Sequence, residues 1–228
     1  MTGLYGRGGA AGAEPADAAA PEWLRELHRA ALAAPVPVNM RPPREGGRPS
    51  AILVLFGEGT HGPDLLLIQR ATGLRRHAGQ PAFPGGAIDA TDSGPVAAAL
   101  REATEETGLD PSGVQVLGTL PQLYVAHSGF RVNPVLAWWR SPSAVWPADA
   151  GEVAAVARVP VAELVDPANR LRIRVRQAGI GHLSPAFRAQ SMLIWGFTAG
   201  VLDRLLALGG WERPWLADAP VEDLTPLN

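Results

Sequence analysis

The chain has 228 residues, 46% of them hydrophobic and 18% charged, with 20 basic against 22 acidic side chains and a net charge of −2. That balance excludes a broad electrostatic nucleic-acid binder and leaves room for a local anion site. Zero cysteines exclude disulfides, thiol catalysis and thiolate metal centres, so any metal here takes carboxylate, imidazole or carbonyl ligands.

Residues 1–20 are rich in Gly and Ala and lack the charged-then-apolar order of an export signal. Pro21 opens a predicted helix through Ala34, with Trp23, Leu24 and Leu27 on one side. A Pro-rich connector follows. The expected organisation is a mobile N-terminal extension over 1–48, carrying that helix, and one domain over 49–228. Ala51–Phe56 is a compact apolar strand, Gly57–Asp64 supplies turn chemistry, and Leu65–Arg70 reads as a returning strand. Further strands are expected at Leu120–Ala126, Phe130–Trp139, Val153–Val159 and Leu171–Gln177, with a Ser128-Gly129 turn and a short helix from Pro160. Arg172, Arg174 and Arg176 alternate with apolar residues in the last of these and read as decoration of an edge strand. The apolar run Met192–Leu208 is broken by Asp203 and Arg204, too short and charged for a membrane span, and a helix is expected over 187–208. Strands interleaved with helices indicate a layered α/β (α+β) fold. A cytoplasmic protein is expected, with no membrane and no nucleic-acid partner.

The informative stretch is 83–109, FPGGAIDATDSGPVAAALREATEETGL. Pro95 suits a first helical turn, Asp92 or Ser93 is the expected cap, and Gly108 suits the stop. Val96, Ala99, Leu100, Ala103 and Thr107 form the expected buried stripe. Glu102, Glu105 and Glu106 then project together from another face. Like charges at these spacings repel by a few tenths of a kcal/mol per pair (about 0.2–0.5), and the helix C-terminus opposes them too. A divalent cation converts that repulsion into coordination. Hard carboxylate oxygens suit Mg²⁺ or Mn²⁺, ions that favour phosphate-bearing substrates, and a carbonyl of the preceding Gly-rich loop can reach the same ion.

These residues resemble the signature of the Nudix hydrolases. Gly86, Asp92 and the run Arg101-Glu102-Ala103-Thr104-Glu105-Glu106-Thr107-Gly108-Leu109 fill its places, with Asp92 where Glu is usual and a loop one residue longer before Arg101. The upstream segment LLLIQRATGLRRHAGQPAFPGG, residues 65–86, resembles the coenzyme A branch of that family, through Arg70, Arg75, Gly79 and Phe83-Pro84-Gly85-Gly86. Gly129-Phe130-Arg131-Val132-Asn133-Pro134-Val135 and Ile194-Trp195-Gly196-Phe197-Thr198-Ala199 add to the similarity, which spans roughly 50–208.

The resemblance implies an α/β/α sandwich with a mixed sheet between helices. It also implies metal-dependent hydrolysis of a nucleoside diphosphate linked to another moiety. The leading expectation is coenzyme A or its derivatives, cleaved to 4′-phosphopantetheine and adenosine 3′,5′-bisphosphate. The alternatives are ADP-ribose, dinucleotides or nucleotide sugars, and a sensing module without turnover. On this reading Glu102 and Glu106 hold Mg²⁺ or Mn²⁺ with Glu105 and the Gly86 carbonyl. Glu105 or Glu152 is the candidate base, and Arg101 orients a carboxylate. Arg70, Arg75, Gly79 and Phe83 contact a small-molecule, coenzyme A-like nucleotide. A homodimer through the N-terminal helix stays open.

Overall fold

The computed structural model of the protein describes residues 20–74, 77–177, 180–215 and 219–224. Helix α1 (Glu22–Ala33) precedes the hairpin of β1 (Arg48–Gly59) and β2 (Gly62–Arg70), which turns on Thr60-His61. Short strands β3 (Pro81–Ala82) and β4 (Gly85–Ala87) lead into helix α2 (Pro95–Thr107). Then come β5 (Val114–Thr119), β6 (Leu123–Val125), β7 (Phe130–Trp139), β8 (Val153–Pro160) and the short helix α3 (Val161–Val165). The chain ends with β9 (Arg170–Gln177), β10 (Ile180–Ala189), β11 (Met192–Ile194), helix α4 (Gly196–Leu208) and β12 (Val221–Leu224).

The main sheet runs β3-β2-β1-β7-β5, with β4 on β1, β6 on β7 and β8 on β2. Strands β1 and β7 are parallel and the other pairs antiparallel, so the sheet is mixed. Its central strands are apolar on both faces because both faces are covered. From β1, Ala51, Leu53 and Leu55 face a core shared with Ala98, Ala99 and Ala103 of α2, while Val54 and Phe56 face Leu24 and Leu27 of α1 and Leu202 and Leu205 of α4. Strand β7 alternates in the same way, with Val135, Ala137 and Trp139 toward α2 and Leu136 and Trp138 toward α1 and α4. The result is a helix–sheet–helix sandwich, the architecture expected. The second sheet runs β11-β10-β9-β12, with α4 against its β10 and its β11 against β3 of the main sheet.

Four expectations are corrected. Residues 20–33 are no mobile extension: Leu24, Leu27 and Ala31 are buried, and Trp23 sits edge-on to Phe56, Trp138 and Trp211 at centroid distances of 5.4, 6.0 and 5.2 Å. Residues 1–19 lie outside the described residues. The helix expected over 187–208 starts only at Gly196. Gln190 and Ser191 both adopt positive φ (48° and 62°) in a two-residue loop pairing Ala189 with Met192, so Phe187–Ile194 forms a hairpin. The helix α2 is capped by Gly94 at φ 146°, with no side-chain cap from Asp92 or Ser93. Strand β9 is interior, flanked by β10 and β12, so its arginines do not decorate an edge. Arg174 pairs with Asp223 at 3.2 Å and Arg172 donates to the Ala219 carbonyl, while the Arg176 side chain lies outside the description. Strand β5 lies outside the expected strands and pairs with β7 through a register shift at Val116–Gly118.

Candidate active site

Two glycines make the floor of the site. Gly85 and Gly86 on β4 pair with Ile52 and Ala51 of β1, so the loop before α2 is tied to the sheet centre. Gly85 has φ 152°, and a Cβ there would lie 2.3 Å from the Ala51 carbonyl oxygen. A Cβ on Gly86 would lie 2.4 Å from Oε1 of Glu102, so that carboxylate rests directly on the glycine backbone. Phe83 anchors this loop from below. It is 3% exposed within the core shared with α1 and α4, which removes it from direct substrate contact, contrary to expectation.

Helix α2 splays its three glutamates. Glu106 is 3% exposed and accepts a hydrogen bond from the Gly85 N–H at 2.9 Å. Its other oxygen lies 3.7 Å from Nη1 of Arg70, at the end of β2. Burial pushes the Glu106 carboxyl up to about 7, reinforced by the negative charges of Glu102 and Glu152 and opposed by the Gly85 N–H and Arg70. Glu102 is also raised, by burial first, with Arg101 opposing and Glu105 and Glu152 adding to it. Glu105 points away, with its side chain 58% exposed and held by Arg101 at 2.9 Å. The expected common face of three glutamates is therefore a pair, Glu102 and Glu106, one turn apart, with Glu105 outside it. The reason is angular: position 106 lies about 40° to one side of 102 around a helix, whereas 105 lies about 60° to the other side and so about 100° from 106.

Arg101 organises the outer rim. Its guanidinium bonds both oxygens of Asp92, Nε to Oδ1 at 3.1 Å and Nη2 to Oδ2 at 3.0 Å. It also donates to the Ala87 carbonyl at 3.2 Å and approaches Glu102 at 3.1 Å. The bidentate hydrogen bonds hold the Asp92 carboxyl below the usual carboxylate range. In the sequence Asp92 reads as a cap candidate and as a departure from the family pattern. Here it fixes Arg101, and through Arg101 the geometry of Glu102 and Glu105. The spacing of nine residues gave no local signal for that pairing, because the contact is made by the turn before α2.

The third wall is built from loops. Gly79, at φ 68°, donates to the Arg70 carbonyl while the Arg70 N–H returns to the Gln80 carbonyl, each at 3.1 Å, so the 71–80 loop is cinched at the strand end bearing Arg70. Within it His77 Nδ1 meets Gln80 Oε1 at 2.9 Å, and the His77 ring lies 5.1 Å from that of His127. Arg75, expected to contact substrate, lies outside the described residues. Glu152 comes from the loop before β8, its carbonyl accepting from the Ala71 N–H at 2.8 Å and its carboxylate exposed. Its charge is felt by both Glu102 and Glu106, which brings it into the same electrostatic group.

Among the described residues no three carboxylate or imidazole groups close on one point. The donor set still suits Mg²⁺ or Mn²⁺: two incompletely compensated carboxylates, raised by burial and by each other, beside a glycine backbone with no Cβ in the way. An ion of this kind takes one or two carboxylates and completes its shell with water and substrate phosphate.

Residues 46–178 match the family model of the NUDIX domain. The uncharacterized Nudix hydrolase NudL of Salmonella paratyphi B is 42% identical over 152 residues, covering 67% of this chain and 78% of its own. NudL of Salmonella enteritidis PT4 matches with the same figures. Among solved structures, the Nudix hydrolase RenU from M. smegmatis aligns with a TM-score of 0.42 and 24% identity, over 54% of this chain and 79% of its own. The chain belongs to the Nudix hydrolase family, enzymes that act on pyrophosphate bonds and generally need divalent metals.

Proposed function

We propose that the protein hydrolyses the diphosphate of coenzyme A or its derivatives to 4′-phosphopantetheine and adenosine 3′,5′-bisphosphate, with Mg²⁺ or Mn²⁺, in the cytoplasm. The observation that carries this reading is the placement of the 65–86 signature: it forms β2, the cinched loop 71–80 and the β4 floor, and so brings Arg70 to Glu106. Arg70 and Gly79, which resemble the coenzyme A branch, thus stand beside the acid pair, and this supports the reading.

Glu102 and Glu106 would hold the ion, with the Gly86 carbonyl and water. The ion supplies charge neutralisation at the diphosphate and a bound water of lowered pKa. The chain's own groups do the rest. Arg70 presents a guanidinium on the same side, suited to a phosphate oxygen that displaces its loose contact with Glu106. Gly79 is assigned to the same substrate wall, and Arg75 to substrate contact on the resemblance alone. Arg101, bound to Asp92 on one side and to Glu102 and Glu105 on the other, fixes those carboxylates. Glu152 is the favoured proton acceptor, because it is exposed and its charge reaches both Glu102 and Glu106, whereas Glu105 is engaged by Arg101.

The test is a mass-resolved hydrolysis panel of coenzyme A, an acyl form, ADP-ribose, NADH and a nucleotide sugar with Mg²⁺ or Mn²⁺. Selective cleavage of coenzyme A is expected. Preference for another diphosphate would discard the substrate assignment and keep the fold and acid site.

A further inference from the structure

Two histidines that the acid site does not use face each other across two turns. His77 belongs to the loop 71–80 and His127 to the turn between β6 and β7; their ring centroids are 5.1 Å apart and the planes cross at 57°. Both turns are fixed by their backbones. Beside His127, the Ser128 and Gly129 N–H groups donate to the Val125 carbonyl at 3.2 and 2.8 Å. Beside His77, the Gln80 N–H donates to the His77 carbonyl at 3.2 Å. His77 itself takes φ 56°, the left-handed region that a β-carbon disfavours. Gln80 Oε1 sits 2.9 Å from His77 Nδ1 and can only accept there, so in the neutral ring Nδ1 carries the proton and Nε2 keeps its lone pair. Loss of hydration and, after it, the charge of His77 lower the His127 imidazole below its ordinary value, which favours the neutral, ligating form.

Among the described residues no hydrogen bond joins the two rings, and their planes cross too steeply for stacking. Their separation suits a shared ligand. Two imidazoles bound through one nitrogen each to a tetrahedral ion, at about 2.0–2.1 Å, place their ring centres about 5 Å apart. A partner on the other ring nitrogen, as Gln80 is to His77, is how metal-binding histidines are oriented. Imidazole selects borderline transition ions, whereas the carboxylates of Glu102 and Glu106 suit hard ones. We propose that His77 and His127 form a cation site separate from the acid pair, for a divalent transition ion of the Zn²⁺ class, with water completing the shell. Gln80 links the two places: its side chain orients His77 and its carbonyl accepts from the Arg70 N–H at 3.1 Å. An ion at the histidines therefore ties the loop 71–80 to the β6–β7 turn and fixes the loop that is bonded to Arg70. The site does not depend on which diphosphate is the substrate.

The experiment titrates Zn²⁺ calorimetrically into the full chain in excess Mg²⁺, for wild type, His77→Asn, His127→Ala, Gln80→Ala and Glu106→Gln. Asn is chosen at position 77 because it tolerates left-handed backbone. Zn²⁺ should bind wild type and Glu106→Gln alike and be lost from both histidine variants. Gln80→Ala should bind about tenfold more weakly, as for loss of an outer hydrogen-bond partner. Imidazole NMR resonances of wild type need no variant to fold. Those of His77 and His127 should shift together with Zn²⁺ while His28, His61 and His182 stay in place. A wild type that takes no Zn²⁺, Zn²⁺ retained by either histidine variant, Zn²⁺ lost from Glu106→Gln, or shifts confined to the other histidines would each overturn the site.

Discussion

Strand β2 carries a buried carboxylate against an arginine at one end and an arginine against a buried carboxylate at the other, and the two ends are built differently. At the hairpin end, Asp64 is nearly enclosed and meets Nη2 of Arg158 at 3.0 Å through Oδ1 and 2.8 Å through Oδ2, and that guanidinium also donates to the Glu58 carbonyl. Burial raises the Asp64 carboxyl and the Arg158 hydrogen bond pulls it back. At the other end, Arg70 stands 3.7 Å from Glu106, beyond hydrogen-bond range, and the nearby Glu102 and Glu152 add negative charge. One end closes its ion pair by direct contact; the other leaves acidic charge in excess at the proposed metal site. Incomplete compensation of a buried acid, more than burial itself, distinguishes the functional end from the structural one.

The sharpest way to break this contrast is Glu106→Gln. Turnover should fall by about three orders of magnitude, as for loss of a group acting on transition-state charge. Near-normal turnover would remove Glu106 from the metal site. Stability should move in the opposite direction. The folded carboxyl titrates at about 7 against an ordinary 4.5, so its contribution is fully present below pH 4.5 and is lost as pH rises through 7. Metal-free Glu106→Gln should therefore be more stable than wild type at pH 8, by up to about 3 kcal/mol, and match it near pH 4.5. A variant less stable than wild type at both pH values would contradict the burial argument.

Gly86→Ala tests the floor. The added Cβ overlaps the Glu102 carboxylate, and kcat should drop by about a hundredfold from the displaced ligand, with the melting temperature changing far less. Unchanged kcat would show that the carboxylate moves freely. Arg70→Ala should raise KM for coenzyme A by about tenfold, the value of one charge-assisted contact, and affect dephospho-coenzyme A less if the guanidinium reads the extra phosphate. Equal losses on both substrates would confine Arg70 to the diphosphate. The smallest effect on activity belongs to the hairpin end: Asp64→Ala should leave kcat and KM within about twofold while lowering stability by about 1–3 kcal/mol, since it strands Arg158 in a half-buried site. A kinetic defect there would dissolve the distinction between the two ends.

Much of the fold was legible along the chain. The apolar runs of β1, β2 and β7 carry their own strand signal, and Pro95 and Gly108 bracket α2 because their backbone preferences are local. The hairpin Phe187–Ile194 was not legible. Its apolar residues continue without a break into α4, and the turn rests on positive φ at Gln190 and Ser191, residue types that do not advertise it. Nor was the burial of α1, which depends on Trp23 finding Phe56, Trp138 and Trp211 from three distant segments.

The active site divides along the same line. The order Arg101-Glu102-Ala103-Thr104-Glu105-Glu106 and the spacing to Gly86 determined the acidic helix and its family, because residue type and helical period are properties of the chain alone. Tertiary structure decided which glutamates share the site: Glu106 turned inward to the Gly85 N–H and Arg70, Glu102 laid on Gly86, and Glu105 left to Arg101 and solvent. It also decided that Asp92 holds Arg101 and that His77 faces His127. Desolvation and contact between segments as distant in the chain as Arg70 and Glu106 set these roles, and neither is written in any local stretch of sequence.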